Sequence, residues 1–146
     1  MNFFSAMEIA ASGLSAERTR MNVLASNLAN ARTTRNEAGT GPYRRLDPVF
    51  RAVPLRDRIA EMRRDPEAGN AYMVEVPEIR EDQGPPQMVY EPSHPDADEN
   101  GYVSLPNVNV VEEMVNMITA SRAYESGVTV MQTLKTMARS AISISG

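Results

Sequence analysis

The chain has 146 residues, a net charge of −4, no cysteine, no tryptophan and only eight aromatic residues. Without cysteine there are no disulfides, thiolate nucleophiles or cysteine-based zinc sites. No run approaches the roughly 18 apolar residues that span a bilayer, and no Lys or Arg precedes Arg18, so neither direct membrane insertion nor a cleavable secretory signal is expected.

Residues 3 to about 31 read as one helix. Met7, Leu14, Met21 and Leu28 recur every seven residues, and Ala10, Leu24 and Ala31 add a second row that Glu17 interrupts. This is the spacing of a coiled-coil seam. Ala10, Ala11, Ser12, Gly13 and Ala16 make part of the helix thin. A glycine inside a helix costs roughly 1 kcal/mol relative to alanine, a loss that is tolerable if a neighbouring backbone approaches closely there.

The middle, residues 36–107, changes character. It holds all ten prolines and five of the eight glycines. Short extended runs at Tyr43–Val53, Ala71–Val76, Gln87–Tyr90 and Gly101–Leu105 alternate with turn signals, which predicts a small β-rich domain. Residues 55–70 read either as a short helix, with Leu55, Ile59 and Met62 on one face, or as a mobile basic loop.

A second long helix is predicted from Val110 to about residue 143. Asn109 is placed to cap its first turn, with Glu112 three residues later as in a capping box. Val110, Met117, Tyr124, Met131 and Ala138 form one seven-residue row, and Ala120, Gly127, Leu134 and Ala141 form the adjoining one. Val115, Ile118, Val128, Val130, Met137 and Ile142 lie off this seam. An apolar surface that wide suits more than one partner. The expected fold class is α+β: terminal helices in residues 1–35 and 108–146 pair as a coiled coil, with a β-rich domain between them.

Charge is divided along the chain. Residues 18–64 carry eleven Arg against four acids, and residues 65–113 carry twelve acids against one Arg. The two segments neutralise each other either within one chain or between neighbouring copies.

Chemistry has little to work with. The single histidine, His94, sits between Pro92 and Pro95 and reads as a loop residue. No catalytic residues, cofactor site or metal site are expected. Asp96-Ala97-Asp98-Glu99-Asn100-Gly101 matches the first half of a calcium-binding loop. However, Asn107 stands where the bidentate Glu belongs, and a turn into the next strand explains the same residues. The Arg-rich block, including Arg44, Arg45, Arg63 and Arg64, carries no nucleic-acid recognition motif. A calcium-binding module and a nucleic-acid binder are therefore the weaker rivals of a structural, non-enzymatic subunit.

Two groups of residues carry a family resemblance. Ala10-Ala11-Ser12-Gly13-Leu14-Ser15-Ala16 leads into Ser26-Asn27-Leu28-Ala29-Asn30-Ala31-Arg32-Thr33-Thr34. Gly101 to Asn109 is followed by Glu112-Glu113-Met114-Val115 and Ser121-Arg122-Ala123-Tyr124-Glu125. Together they resemble the paired end signatures of the rod-type axial proteins of the bacterial flagellum. Pro106-Asn107-Val108-Asn109, His94-Pro95-Asp96-Ala97, Tyr43-Arg44-Arg45 and Val49-Phe50 fit the proximal-rod branch of that family. Two departures stand out. Tyr124-Glu125-Ser126-Gly127 replaces the usual Tyr-Glu-Ala-Asn, and Arg32 replaces Asn in Ala29-Asn30-Ala31-Arg32-Thr33.

The resemblance implies a subunit of the flagellar drive shaft, exported uncleaved by the flagellar type III apparatus. Its implied partners are copies of itself, other proximal rod proteins and the adjoining distal rod. The expected assembly interface comprises Met7, Leu14, Met21, Asn27, Leu28 and Asn30 from the first helix, with Met117, Tyr124, Met131 and Leu134 from the second.

Overall fold

The computed structural model describes residues 3–58 and 71–145. Helix α1 spans Phe3–Ala29, strand β1 Leu46–Pro54, the single turn α2 Leu55–Arg58, β2 Tyr72–Glu81, β3 Gln87–Tyr90, β4 Tyr102–Leu105, and helix α3 Val110–Ser145. The fold is α+β, with a helix toward each end and two antiparallel hairpins, β1–β2 and β3–β4, between them. Most of the 55–70 segment lies outside the described residues, including Ile59 and Met62. Among the described residues no helix is long and apolar enough to cross a membrane.

Helix α1 has no internal proline and is rich in Ala, Leu and Met, which suits a long helix. At its end the Asn30 Nδ2 donates to the Ser26 carbonyl at 3.0 Å, and the Asn30 Oδ1 accepts from the Thr33 hydroxyl at 3.1 Å. A last-turn carbonyl is thereby satisfied where the helix stops. At the start of α3, the Asn109 Oδ1 accepts from the backbone N–H of Val111 at 3.1 Å and of Glu112 at 3.3 Å. Those are two of the donors that a helix leaves unpaired. At 1.5 Å per residue, the 27 residues of α1 and the 36 of α3 give helices of about 40 and 54 Å.

The helices run antiparallel and pack side by side. Asn27 meets Glu113 at one end of the contact, and Leu14 meets Gly127 farther along. Along α3, residues 113, 117, 120, 124, 127, 131, 134 and 138 are all buried or half-buried. The alternating steps of four and three mark one straight stripe. Gly127 matters here: a Cβ at that position would lie 2.8 Å from Leu14 Cδ2, so glycine makes the seat for the Leu14 side chain.

Helix α1 buries a second face. Ala16 and Val23, off the heptad row, are buried along with Leu24 and Asn27, because α1 also packs on β1 and β2. Ser12 ties that contact. Its hydroxyl donates to the Ile9 carbonyl at 2.7 Å and accepts from the Val74 N–H at 3.1 Å. Leu55, Ala71 and Met73 form a buried cluster beside Ile9.

Strand β2 runs five residues beyond the predicted end at Val76, through Pro77 to Glu81. The register explains how. Arg51 pairs with Glu75 and Val49 with Glu78, so Val76 and Pro77 together oppose Phe50. Such a bulge accommodates a proline that cannot donate to the ladder. In the second hairpin, Tyr90 and Tyr102 face each other across the strands at 5.3 Å in an edge-on pair. Gly101 precedes Tyr102 with φ +81°, and a Cβ there would sit 2.9 Å from the Tyr90 ring. The turn therefore requires glycine.

Candidate assembly site

Where α1, α3 and the start of β1 meet, a polar cluster is built around two residues sealed from solvent, Asn27 and Glu113. Asn27 is 0% exposed. Its Nδ2 donates to the Leu46 carbonyl at 2.9 Å and to Glu113 Oε2 at 3.0 Å. Its Oδ1 accepts from the Leu46 N–H and from the Tyr43 hydroxyl, both at 2.9 Å. All four hydrogen-bonding positions of the amide are filled.

Glu113 is 1% exposed, and its Oε1 accepts from Arg45 Nε at 2.6 Å. Arg45 also pairs with Asp47 at 3.3 Å, and its backbone N–H donates to Asn107 Oδ1 at 3.3 Å. Burial opposes the charge on Arg45. The hydrogen bond and charge of Glu113, supported by Asp47, outweigh it and hold the guanidinium above its ordinary pKa. A buried ion pair often adds little net stability over an apolar replacement, but removing one partner leaves an uncompensated charge. This cluster therefore fixes the relative placement of three elements.

A second polar contact holds the loop after α1. Asp96 accepts from the Thr34 hydroxyl at 2.7 Å and from Arg35 Nε at 2.6 Å, with Arg35 Nη2 also on the same carboxylate. The Asp96 N–H donates to His94 Nδ1 at 3.0 Å. Asp98 Oδ1 accepts from the N–H groups of Asn100 and Tyr102. The first two carboxylates of the calcium-loop motif are thus engaged in holding a loop and closing a turn.

The Thr34 hydrogen bond, followed by Arg35, holds the Asp96 carboxyl below the usual carboxylate range. A carboxylate with a depressed folded-state pKa stabilises the fold above its unfolded pKa. That contribution is lost as pH falls through the folded value. An Asp96→Asn variant is therefore expected to be less stable than the parent at neutral pH. The gap closes below about pH 4, and chemical unfolding across a pH series checks it. A gap that persists unchanged into acid would refute the assignment.

The basic and acidic segments meet inside the chain: Arg35 pairs with Asp96, Arg45 with Glu113 and Arg51 with Glu75. Arg44 reaches the Asp82 carbonyl and Gln83, while Arg63 and Arg64 lie outside the described residues.

The sequence-predicted residues fall into two sets. Met7, Leu14, Met21 and Leu28 are half-buried on α1, and Met117, Tyr124, Met131 and Leu134 are half-buried on the stripe of α3 that faces it. Asn27 is enclosed within the subunit rather than on an outer face, and the Asn30 side chain closes the end of its own helix. Sequence reasoning missed Tyr43 and Glu113 as partners of Asn27, and Arg45 as the partner of Glu113. One available signal was Glu113 itself, a charge standing in phase with the seam seven residues before Ala120.

The rest of the surface is unusually apolar. Among the described residues, seventeen large hydrophobic side chains are exposed, against nine buried hydrophobic residues, three of them alanine. On α3 they include Val111, Met114, Val115, Ile118, Val130, Met137 and Ile144, all away from the α1-facing stripe. Apolar exposure on this scale marks an interaction surface.

Comparison with known proteins agrees with this organisation. Residues 7–35 match the family model described as flagella basal body rod protein, and residues 99–144 match that of the flagellar basal body rod FlgEFG protein C-terminal. A Borreliella burgdorferi protein named flagellar basal-body rod protein FlgC is 41% identical, covering 99% of this chain and 98% of its own. Proteins of the same name are 48% identical in Aquifex aeolicus, over 86% of this chain and 84% of that one, and 38% identical in Bacillus subtilis, over 99% of each. With its two end helices, its exposed apolar surface and relatives matched along nearly their whole length, the chain belongs to the FlgC family of flagellar basal-body rod proteins, structural subunits of the basal body.

Proposed function

We propose that this rod subunit builds the proximal part of the shaft through α1 and α3, which pair as a coiled coil and stack against neighbouring copies to transmit torque. The observation that carries this reading is the exposed apolar surface of α3 outside the stripe that faces α1. A helix with one covered face and further apolar faces suits a tubular assembly, in which each subunit touches several others. The role is mechanical and assigns no catalysis and no cofactor.

In this reading Met7, Leu14, Met21 and Leu28 meet Met117, Tyr124, Met131 and Leu134 where the two helices pair, Asn27 and Asn30 hold the subunit's own shape, and the exposed apolar face of α3 outside that stripe meets neighbouring copies. Partners are further copies, other proximal rod proteins and the distal rod. Delivery is by the flagellar type III apparatus, without cleavage of a signal.

Electron microscopy of basal bodies from cells lacking this chain tests the reading. Truncated or absent rods and loss of motility are expected, and an intact rod in motile cells would overturn it. A second expectation concerns order. Helix α3 has 36 residues against 27 in α1, so its last turns extend beyond the partner helix. Hydrogen exchange is expected to be fast at the free subunit's helix ends and slow after assembly, because an unsupported helix end is only marginally stable. Equal protection in both states would count against it.

A further inference from the structure

Two surfaces of this chain are left open by its own fold, and each carries what the other lacks. The first is a groove of about 610 Å³ between α1, α3 and the β1–β2 hairpin. Ala10, Gly13, Leu14, Phe50, Val74 and Val130 give it an apolar lining. It is unfilled: a Cβ placed on Gly13 would meet nothing within 4 Å. Glu17 also lines it, and Glu17 Oε2 is buried without a hydrogen-bond partner. Arg20, which also lines the groove, forms an ion pair with that oxygen through Nη1 at 3.7 Å, beyond hydrogen-bond distance. The oxygen thus has a charge partner but no hydrogen-bond donor, and a buried acceptor without a donor is costly until one reaches it.

The second surface lies on the opposite side of α3 from the stripe that meets α1. Val111, Val115 and Ile118 are 71%, 57% and 55% exposed. The same steps of four, three and four residues bring Arg122 into line with them. Arg122 is exposed and has no ion-pair partner among the described residues. The result is an apolar ridge ending in an unpaired guanidinium.

We propose that this ridge seats in the groove of a second copy of the chain, with Arg122 of one copy reaching Glu17 of the other. Apolar surface meets apolar surface, and the exposed Arg122 supplies the hydrogen-bond donor that Glu17 Oε2 lacks beside its ion-pair partner Arg20. Arginine suits such a partly buried pairing, because its planar fork donates several hydrogen bonds to a carboxylate. The ridge and the groove are different patches of one molecule, so the contact is heterologous and propagates from copy to copy as a ring or a helix. The inference deepens the rod reading and rests on it.

Two charge reversals in the full chain test it. Glu17→Arg and Arg122→Glu each put like charges into the contact. Each is expected to weaken self-association by about tenfold or more in sedimentation velocity, with unchanged helix content by circular dichroism. When the two variants are mixed, the guanidinium introduced by Glu17→Arg meets the carboxylate introduced by Arg122→Glu in one contact. The next contact joins the native Glu17 of one variant to the native Arg122 of the other. The mixture is therefore expected to recover association to within about threefold of the parent.

The absence of cysteine from the parent chain allows a second readout, in which Gly13→Cys and Ile118→Cys chains are combined and oxidised. A disulfide dimer containing both variants is expected. A mixture that associates no better than its components overturns the proposal. So does a parent chain that does not self-associate, or a cross-link obtained only with a different rod protein. If any of these occurs while cells lacking the chain still have truncated rods, this contact is wrong and the rod assignment stands.

Discussion

Replacing Asn27 with alanine is expected to destabilise the subunit by about 3 kcal/mol, with the midpoint of urea unfolding, followed by far-ultraviolet circular dichroism, as the readout. The substitution removes partners from the Leu46 N–H, the Leu46 carbonyl, the Tyr43 hydroxyl and Glu113 Oε2 at once. A buried polar group left unsatisfied costs about 1–3 kcal/mol, but the four losses do not simply add. Tyr43 keeps a contact with the Ser26 hydroxyl, and Glu113 keeps Arg45. Against a typical total stability of about 5–15 kcal/mol, such a loss is severe.

Asn27→Asp isolates the cause. It retains the side-chain shape and both acceptor contacts, but it loses two donors and faces the Glu113 carboxylate. At neutral pH it is expected to be as damaging as alanine. It should recover in part on acidification, when protonating the introduced carboxylate relieves the repulsion. A loss below about 1 kcal/mol for alanine, or an aspartate variant insensitive to pH, would show that the cluster does not hold the elements together.

That cluster also shows where sequence reading stops. The α3 stripe was legible because Met117, Tyr124, Met131, Ala120, Gly127 and Leu134 repeat with a period set by helix geometry. The four strands were legible from their turns, except that β1 begins at Leu46 rather than Tyr43 and β2 runs past Val76 to Glu81. The bulge opposite Phe50 is a property of the strand pair, and a single strand's pattern does not contain it.

Ala16 and Val23 were missed for a related reason. A helix that packs on a helix and on a hairpin buries two faces, whereas a heptad describes one. Asn27, Tyr43, Arg45 and Glu113 lie as much as 86 residues apart, and local spacing cannot join them. The two charges that broke the pattern were nevertheless the informative ones. Glu113 in phase with the α3 stripe and Glu17 interrupting the α1 row mark the buried cluster and the open groove, respectively.

Gly127 separates two effects that act in opposite directions. Replacing it with alanine removes a helix-interior glycine, which favours the helix by about 1 kcal/mol. The new Cβ would sit 2.8 Å from Leu14 Cδ2 and 3.2 Å from Leu14 Cγ. The nearest atom is the free end of a flexible side chain and can turn aside, so Gly127→Ala is expected to be close to neutral.

Leucine at the same position cannot be accommodated that way. Its branched end needs the volume Leu14 occupies, and overpacking a helix contact costs about 1–3 kcal/mol. The propensity gain offsets only part of that, so Gly127→Leu is expected to lower the unfolding midpoint. Moving the bulk across the contact tests the cause directly. The pair Leu14→Ala with Gly127→Leu returns a large side chain opposite a small one, and is expected to recover most of the lost stability. If the double variant is no better than the sum of its parts, Leu14 and Gly127 do not interact as a knob and its seat. The replacement of the family's usual asparagine by Gly127 would then need an explanation outside the helix pair.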